Sequence, residues 1–154
     1  MAKLTVESSI VIAAPREDVF HYVAEWRNAR HYVPNVASLQ QVGAVCYGLG
    51  TRLRGRAKLN GIPVDTLSEV VQFVELERIV CRSVSGPEST NIWLFYEDGS
   101  GTRLTAIVTY RLPGYLLGGI IARLISRELA TSVERSLFNL KRILEGRRQK
   151  HDAD

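Results

Sequence analysis

The sequence predicts an α+β fold in which one antiparallel sheet packs against a single long helix. Three observations carry this. From Ser38 to Leu112 the chain runs in short stretches of alternating period, broken by Asn60-Gly61, Gly86-Pro87 and Asp98-Gly99, dipeptides that mark turns between strands. The last third, PGYLLGGIIARLISRELATSVERSLFNLKRILEG at residues 113–146, changes to spacings of three and four, the period of a helix. The strands also come together ahead of that helix instead of alternating with helices. That order favours an antiparallel sheet covered on one face.

Taken in order, residues 3–13 (KLTVESSIVIA) alternate and are rich in β-branched side chains, which predicts a strand. Pro15 suits a helix start, and Val19, Phe20, Val23 and Trp26 give the following segment a helical stripe. A second short helical piece, ARHYV, follows Asn28 and is ended by Pro34. These are the two short helices between strands 1 and 2. A strand is expected near 38–46. Next comes GTRLRGRAKL-NG-IPVDTLSEV, where a two-residue turn at Asn60-Gly61 sets the register. It pairs Leu59 with Ile62, Ala57 with Val64, Gly55 with Thr66 and Leu53 with Ser68 on one face, and Arg56 with Asp65 and Arg52 with Glu69 on the other. Strands at 69–76 and 78–85 follow, with a turn near Glu75–Arg78. A last hairpin turns at Asp98-Gly99, placing Phe95 across from Leu104, with Trp93, Ala106, Val108 and Tyr110 on the same face. The sheet is read as seven-stranded.

In the terminal segment, Leu117, Ile121, Leu124, Ile125, Val133, Leu137, Leu140 and Leu144 form the apolar stripe, with Pro113-Gly114 before it and Gly146 as its stop. Residues 1–146 are therefore expected to be one domain, and RRQKHDAD, 147–154, a flexible tail.

The 154-residue chain is 45% hydrophobic and 23% charged, with no apolar run near the ~20 residues of a membrane span. No secretory signal opens it, and a cytoplasmic location fits. Its two cysteines, Cys46 and Cys81, sit in strand-like segments without metal spacing and are read as free buried thiols. A net charge of +4 does not amount to a nucleic-acid site. The basic row Arg52, Arg54, Arg56, Lys58 faces its own acids and is read as a solvated sheet face. No metal, cofactor or nucleic acid is expected. His21 and His31 are read as helix surface residues and His151 as part of the tail.

The element order, SIVIAAPREDVFHYVAEW near the start, Gly-Thr-Arg at 50–52, Asp-Gly-Ser-Gly-Thr-Arg-Leu at 98–104, and Leu-Pro-Gly before a helix ending NLKRILEG together resemble one superfamily. This is the START/Bet v 1-like (SRPBCC) group and, within it, the polyketide cyclase/dehydrase family. The resemblance covers about residues 4–146 and its motifs are structural. It implies a helix-grip fold, a curved sheet wrapped around the long helix with a cavity for an apolar ligand.

The inward face independently mixes bulky residues (Leu53, Trp93, Phe95, Leu104, Tyr110) with small ones (Gly55, Ala57, Ser68, Ala106), which leaves room for a cavity or for a filled core. The ligand-binding candidates are Leu53, Ala57, Val64, Thr66, Trp93, Phe95, Leu104, Val108, Tyr110, Leu117, Ile121 and Leu124. The expected function is binding of a hydrophobic small molecule such as a lipid, isoprenoid or polyketide-like compound. Relatives acting as cyclases or dehydratases are implied to use polar cavity groups, often Arg, Tyr, Asp or His. Here the inward positions are mostly apolar, leaving Tyr110 as the one catalytic candidate. A third reading is a lipid or quinone carrier at a membrane surface. Tyr115, Leu116 and Ile120 lie off the main stripe beside Arg123 and Arg127, which have no acid three or four residues away to pair with except Asp- or Glu-bearing turns elsewhere in the fold. The oligomeric state is open between monomer and homodimer. Within the helix, Val133–Leu144 reads as an anchor and Tyr115–Ile125 as the border of a cavity mouth.

Overall fold

The central hairpin shows how the sequence builds the sheet. Strands β3 (Arg52–Leu59) and β4 (Ile62–Val74) pair Leu53 with Ser68, Gly55 with Thr66 and Ala57 with Val64 on one face. On the other face Arg52 Nε lies 2.8 Å from Glu69 Oε1 and Arg56 Nε 2.7 Å from Asp65 Oδ1. This is the register expected from a two-residue turn between the two alternating runs. Each exposed pair contributes little, but a one-residue slip would turn the whole apolar row to solvent.

The computed structural model describes residues 2–59, 61–116 and 118–153. Asn60, expected in the hairpin turn, and Leu117, a ligand-binding candidate, lie outside them. The remaining elements are β1 (Ala2–Ile12), α1 (Arg16–Ala24), α2 (Ala29–Tyr32), β2 (Val36–Val42), β5 (Arg78–Ser85), β6 (Glu88–Asp98), β7 (Gly101–Leu112) and α3 (Gly119–Ala153), with single 3-10 turns at Trp26–Asn28 and Gly114–Leu116. The seven strands form one antiparallel sheet in the order β1-β7-β6-β5-β4-β3-β2. Irregularities at Val36/Ser38, Leu67/Ser68 and Val70/Gln72 bend its second half. Helix α3 lies on β1 and β7 and against α2, while α1 covers β6 and β7.

The structure corrects several boundaries. β4 is continuous through Val74, so residues 69–74 extend the hairpin strand and do not begin a new one. β2 ends at Val42, because Gly43, Gly48 and Gly50 put the next stretch into a loop. Cys46 is consequently exposed in that loop, not buried in a strand. The β6–β7 turn is Gly99-Ser100, with Asp98 still paired to Gly101.

The long helix begins at Gly119, not at Pro113. Gly119 has φ +61°, a left-handed conformation that interrupts the helix and that glycine adopts without steric cost. At the other end Gly146 does not stop it. Residues 147–153, expected as a flexible tail, continue the helix. The turn after Gly146 is held to the body of the protein. The Arg147 guanidinium stacks 4.7 Å over the Tyr22 ring, and Arg148 Nη1 donates to the Ala13 carbonyl at 3.1 Å.

Two apolar clusters flank the space under α3. The larger joins Ile12, Val19, Phe20, Ile79, Phe95 and Leu104 with Leu137, Leu140 and Leu144 of the helix. The smaller joins Leu112, Ile125 and Leu129, with Leu4, Val6 and Tyr110 against it. Phe20 is fully buried and meets Phe95 and Phe73 edge-on at 5.0 and 5.3 Å, a favoured aromatic geometry.

Candidate functional site

Between those clusters the side chains facing one another are too small to fill the space. Gly55 and Ala57 on β3, Ser68 on β4 and Ala106 on β7 look toward Ser132 and Ser136 of α3. The result is a cavity in two adjoining lobes. The inner lobe, of about 320 Å³, is walled by Trp26, Tyr32, Leu53, Val70, Phe73, Ile79, Trp93, Val108, Leu129 and Val133. The outer lobe, of about 250 Å³, is walled by Val36, Ala57, Val64, Thr66, Pro87 and Leu112. Val33, Val36, Leu39, Tyr110, Leu129 and Ser132 border both. The inner lobe alone reaches the lower end of the ~300–1,000 Å³ typical of small-molecule sites.

The polar groups are few. Among the described residues lining the inner lobe there is no Asp, Glu, His, Lys or Arg. Arg56, Lys58 and Glu128 appear only around the outer lobe. Several inner polar groups are used locally: Thr51 Oγ1 donates to the Gly48 carbonyl at 2.8 Å and Ser136 Oγ to the Ser132 carbonyl at 2.8 Å. The Tyr32 and Tyr110 phenols and the Asn91 amide have no such local partner among the described residues and line the cavity instead. The pairings Cys81–Asn91 and Asn91–Val108 place Asn91 mid-sheet, in line with the Cys81 thiol.

Burial sets the ionisation of these groups. It raises the Tyr110 phenol above its ordinary value, and raises Tyr32 further, with the neighbouring Cys81 and Tyr22 adding to the shift. Both are therefore neutral donors at physiological pH. Burial also pushes the Cys81 thiol up to about 11, which keeps it protonated and a poor nucleophile. Exposed Cys46 should thus react with a maleimide well before Cys81 at neutral pH. Cys81 should accelerate about tenfold per pH unit as its thiolate fraction grows, and an apolar compound in the cavity should protect it. Equal labelling of the two thiols, followed by mass spectrometry, would contradict this placement.

The sequence-derived candidates divide. Leu53, Trp93 and Val108 line the inner lobe, Ala57, Val64 and Thr66 the outer, and Tyr110 both. Phe95 and Leu104 do not line it: they are 2% and 0% exposed in the solid cluster beneath α1. Ile121 and Leu124 do not either, being 50% and 46% exposed. At about 100° per residue Leu124 and Leu140 point roughly 160° apart on α3, so a helix seated on Leu140 turns Leu124 outward. Sequence reasoning missed Tyr32, Phe73, Cys81, Asn91, Leu129, Ser132 and Ser136. Asn91 and Cys81 were within reach, since they share strand parity with Trp93 and with Ile79. Tyr32 was not, because nothing local directs α2 over the sheet. His21 pairs with Glu75 at 2.7 Å on the surface, and His31 is exposed. No group of three or more metal-ligating side chains occurs among the described residues, and among them no helix is long and apolar enough to cross a membrane.

No curated protein sequence matches the chain. Solved structures do. The TTHA0849 protein of Thermus thermophilus is 28% identical, with a TM-score of 0.78 over 89% of this chain and 94% of that one. The Zhui aromatase/cyclase from Streptomyces sp. R1128 is 17% identical, with a TM-score of 0.73 over 95% and 96%. The di-domain ARO/CYC BexL from the BE-7585A biosynthetic pathway is 24% identical, with a TM-score of 0.74 over 93% of this chain, which spans 50% of it. At such identities the last two show the fold alone, which is the helix-grip fold of the START/Bet v 1-like (SRPBCC) superfamily. Within it, residues 3–145 match the family described as polyketide cyclase / dehydrase and lipid transport, and the chain belongs to that family.

Proposed function

We propose that this protein binds an uncharged hydrophobic small molecule (a lipid, isoprenoid or polyketide-like compound) between the sheet and α3. The observation that carries this is the inner lobe, about 320 Å³ of apolar space whose described lining bears no charged side chain. An apolar body there gains roughly 25 cal/mol per Å² removed from water, before association costs. Tyr32 Oη, Tyr110 Oη and the Asn91 amide supply the few polar contacts that orient a carbonyl or hydroxyl on the ligand, since desolvating them without a partner is unfavourable. Ligand-binding roles go to the candidates that line the cavity, namely Leu53, Ala57, Val64, Thr66, Trp93, Val108 and Tyr110.

A second reading draws on the same hydroxyls. Held neutral by burial, Tyr110 is suited to donate a hydrogen bond to a carbonyl in a cyclisation or dehydration, and the family description spans such chemistry as well as lipid transport. One substitution separates the two. As a binding contact, Tyr110→Phe should weaken affinity by about 3- to 10-fold, the worth of one hydrogen bond. As a catalytic donor, its loss should cost turnover by orders of magnitude at little change in KM. Trp26 and Trp93, both in the lobe wall, provide an intrinsic fluorescence signal for titration. Purified protein that carries no extractable apolar compound and shows unchanged tryptophan emission with long-chain alcohols, quinones and aromatic polyketide mimics would defeat the binding reading.

A further inference from the structure

The first turns of α3 and the 3-10 turn ahead of them carry apolar side chains that the fold leaves uncovered. Tyr115 is 81% exposed, Ile120 76%, Ile121 50% and Leu124 46%. By helical geometry Ile120 and Leu124 project away from the face that seats Ile125 and Leu129 on the sheet. Four large apolar side chains are thus exposed within ten residues of chain, a local density that suits a contact surface.

The charge around it is one-sided. Between Asp98 and Glu128 the chain contains no carboxylate; of the arginines in that stretch Arg111 pairs with Glu88 at 3.5 Å and Arg103 stacks on Tyr96, which leaves Arg123 and Arg127 beside the apolar residues. Arg123 and Arg127, within the patch's own turns, have no carboxylate within salt-bridge distance among the described residues. The next acid, Glu128, has one carboxylate oxygen buried, and Glu134 lies about two turns beyond Arg127. Apolar side chains flanked by unneutralised guanidinium groups complement a lipid headgroup layer, in which apolar residues enter the acyl boundary and cations meet lipid phosphate.

The patch also adjoins the cavity. A shallow surface depression joins Leu124 and Arg127 to Pro34, Asn35, Glu128 and Ser132, and those four residues also line the outer lobe. We propose that the start of α3 docks the protein peripherally on an anionic lipid bilayer, with the outer lobe facing the membrane. Use of that contact to exchange ligand rests on the binding reading above, whereas docking itself does not.

The test is flotation of the whole protein with phosphatidylcholine vesicles containing or lacking phosphatidylglycerol. The protein should float with anionic vesicles and fall away as salt rises. With each basic residue worth about fivefold near such a surface, Arg123→Glu with Arg127→Glu should lower partitioning by more than about tenfold, and Ile120→Glu should do likewise. Circular dichroism should confirm that these exposed substitutions leave the fold intact. Probe uptake by the cavity, read from tryptophan emission in vesicle-free solution, should be unchanged in all variants, so failure of docking and failure of ligand binding are read separately. Absence of flotation by the intact protein, or flotation of the charge-reversed protein at the original level, overturns the proposal. So does a concentration-dependent dimer that Ile120→Glu abolishes while vesicle binding persists, since the patch would then serve a second copy of the chain.

Discussion

Replacing Ser132 by Trp should weaken uptake of hydrophobic compounds about a hundredfold while leaving the protein folded. Ser132 is where the two lobes, the surface depression and the inner face of α3 meet, so an indole there occupies the space through which the lobes adjoin. Serine and tryptophan have similar helix propensities, and the new ring fills a void instead of displacing packed atoms. A ligand denied burial of only ~110 Å² of apolar surface loses about 2.8 kcal/mol, about a hundredfold in affinity. Isothermal titration measures the loss, and thermal unfolding should show a melting temperature equal to or above that of the parent. Retained affinity would mean that ligand, if bound at all, sits elsewhere.

The largest stability effect should follow Phe20→Ala. The ring is fully buried, wedged between the sheet and α1, and touches Phe73 and Phe95 edge-on. It lies in the solid cluster and not on the cavity wall. Removing it leaves a hole walled by three elements that cannot collapse together, at a cost of about 3–5 kcal/mol. Urea unfolding gives this as a fall in midpoint at constant m-value. A loss below about 1 kcal/mol would show that this end of the molecule is as loosely filled as the other. Together the two substitutions separate the packed part of the interior from the open part.

Much of this arrangement is legible in the sequence wherever local chemistry is decisive. Alternation on either side of Asn60-Gly61, with arginines opposite acids, sets the β3–β4 register pair by pair. Phe95 opposite Leu104 likewise follows from the β6–β7 turn. Parity, however, says only that a residue faces inward, not what lies over it. Phe95 and Val108 have the same inward orientation, and only the placement of α1 over the β6–β7 end turns Phe95 into core and leaves Val108 on the cavity. Helix ends mislead for a similar reason. Gly146 looks like a stop, but contacts from Arg147 and Arg148 to Tyr22 and Ala13, far away along the chain, carry the helix past it. The aromatic Tyr32 joins the cavity through tertiary packing alone, with Asn139 Nδ2 of α3 donating to its carbonyl at 3.0 Å.

The strand order has a consequence for when the cavity comes into being. Every neighbouring pair in the sheet is joined by a hairpin or short loop except β1 and β7, which lie at opposite ends of it in the sequence. During synthesis the hairpins from β2 to β7 can close as they emerge, and β1 must wait for β7. The wall made by Leu129, Ser132, Val133 and Ser136 arrives last, with α3. Until then the inner face is an open apolar trough. The nascent domain therefore has a transient need for shielding, and a molecule resting in that trough would be enclosed when the helix closes over it.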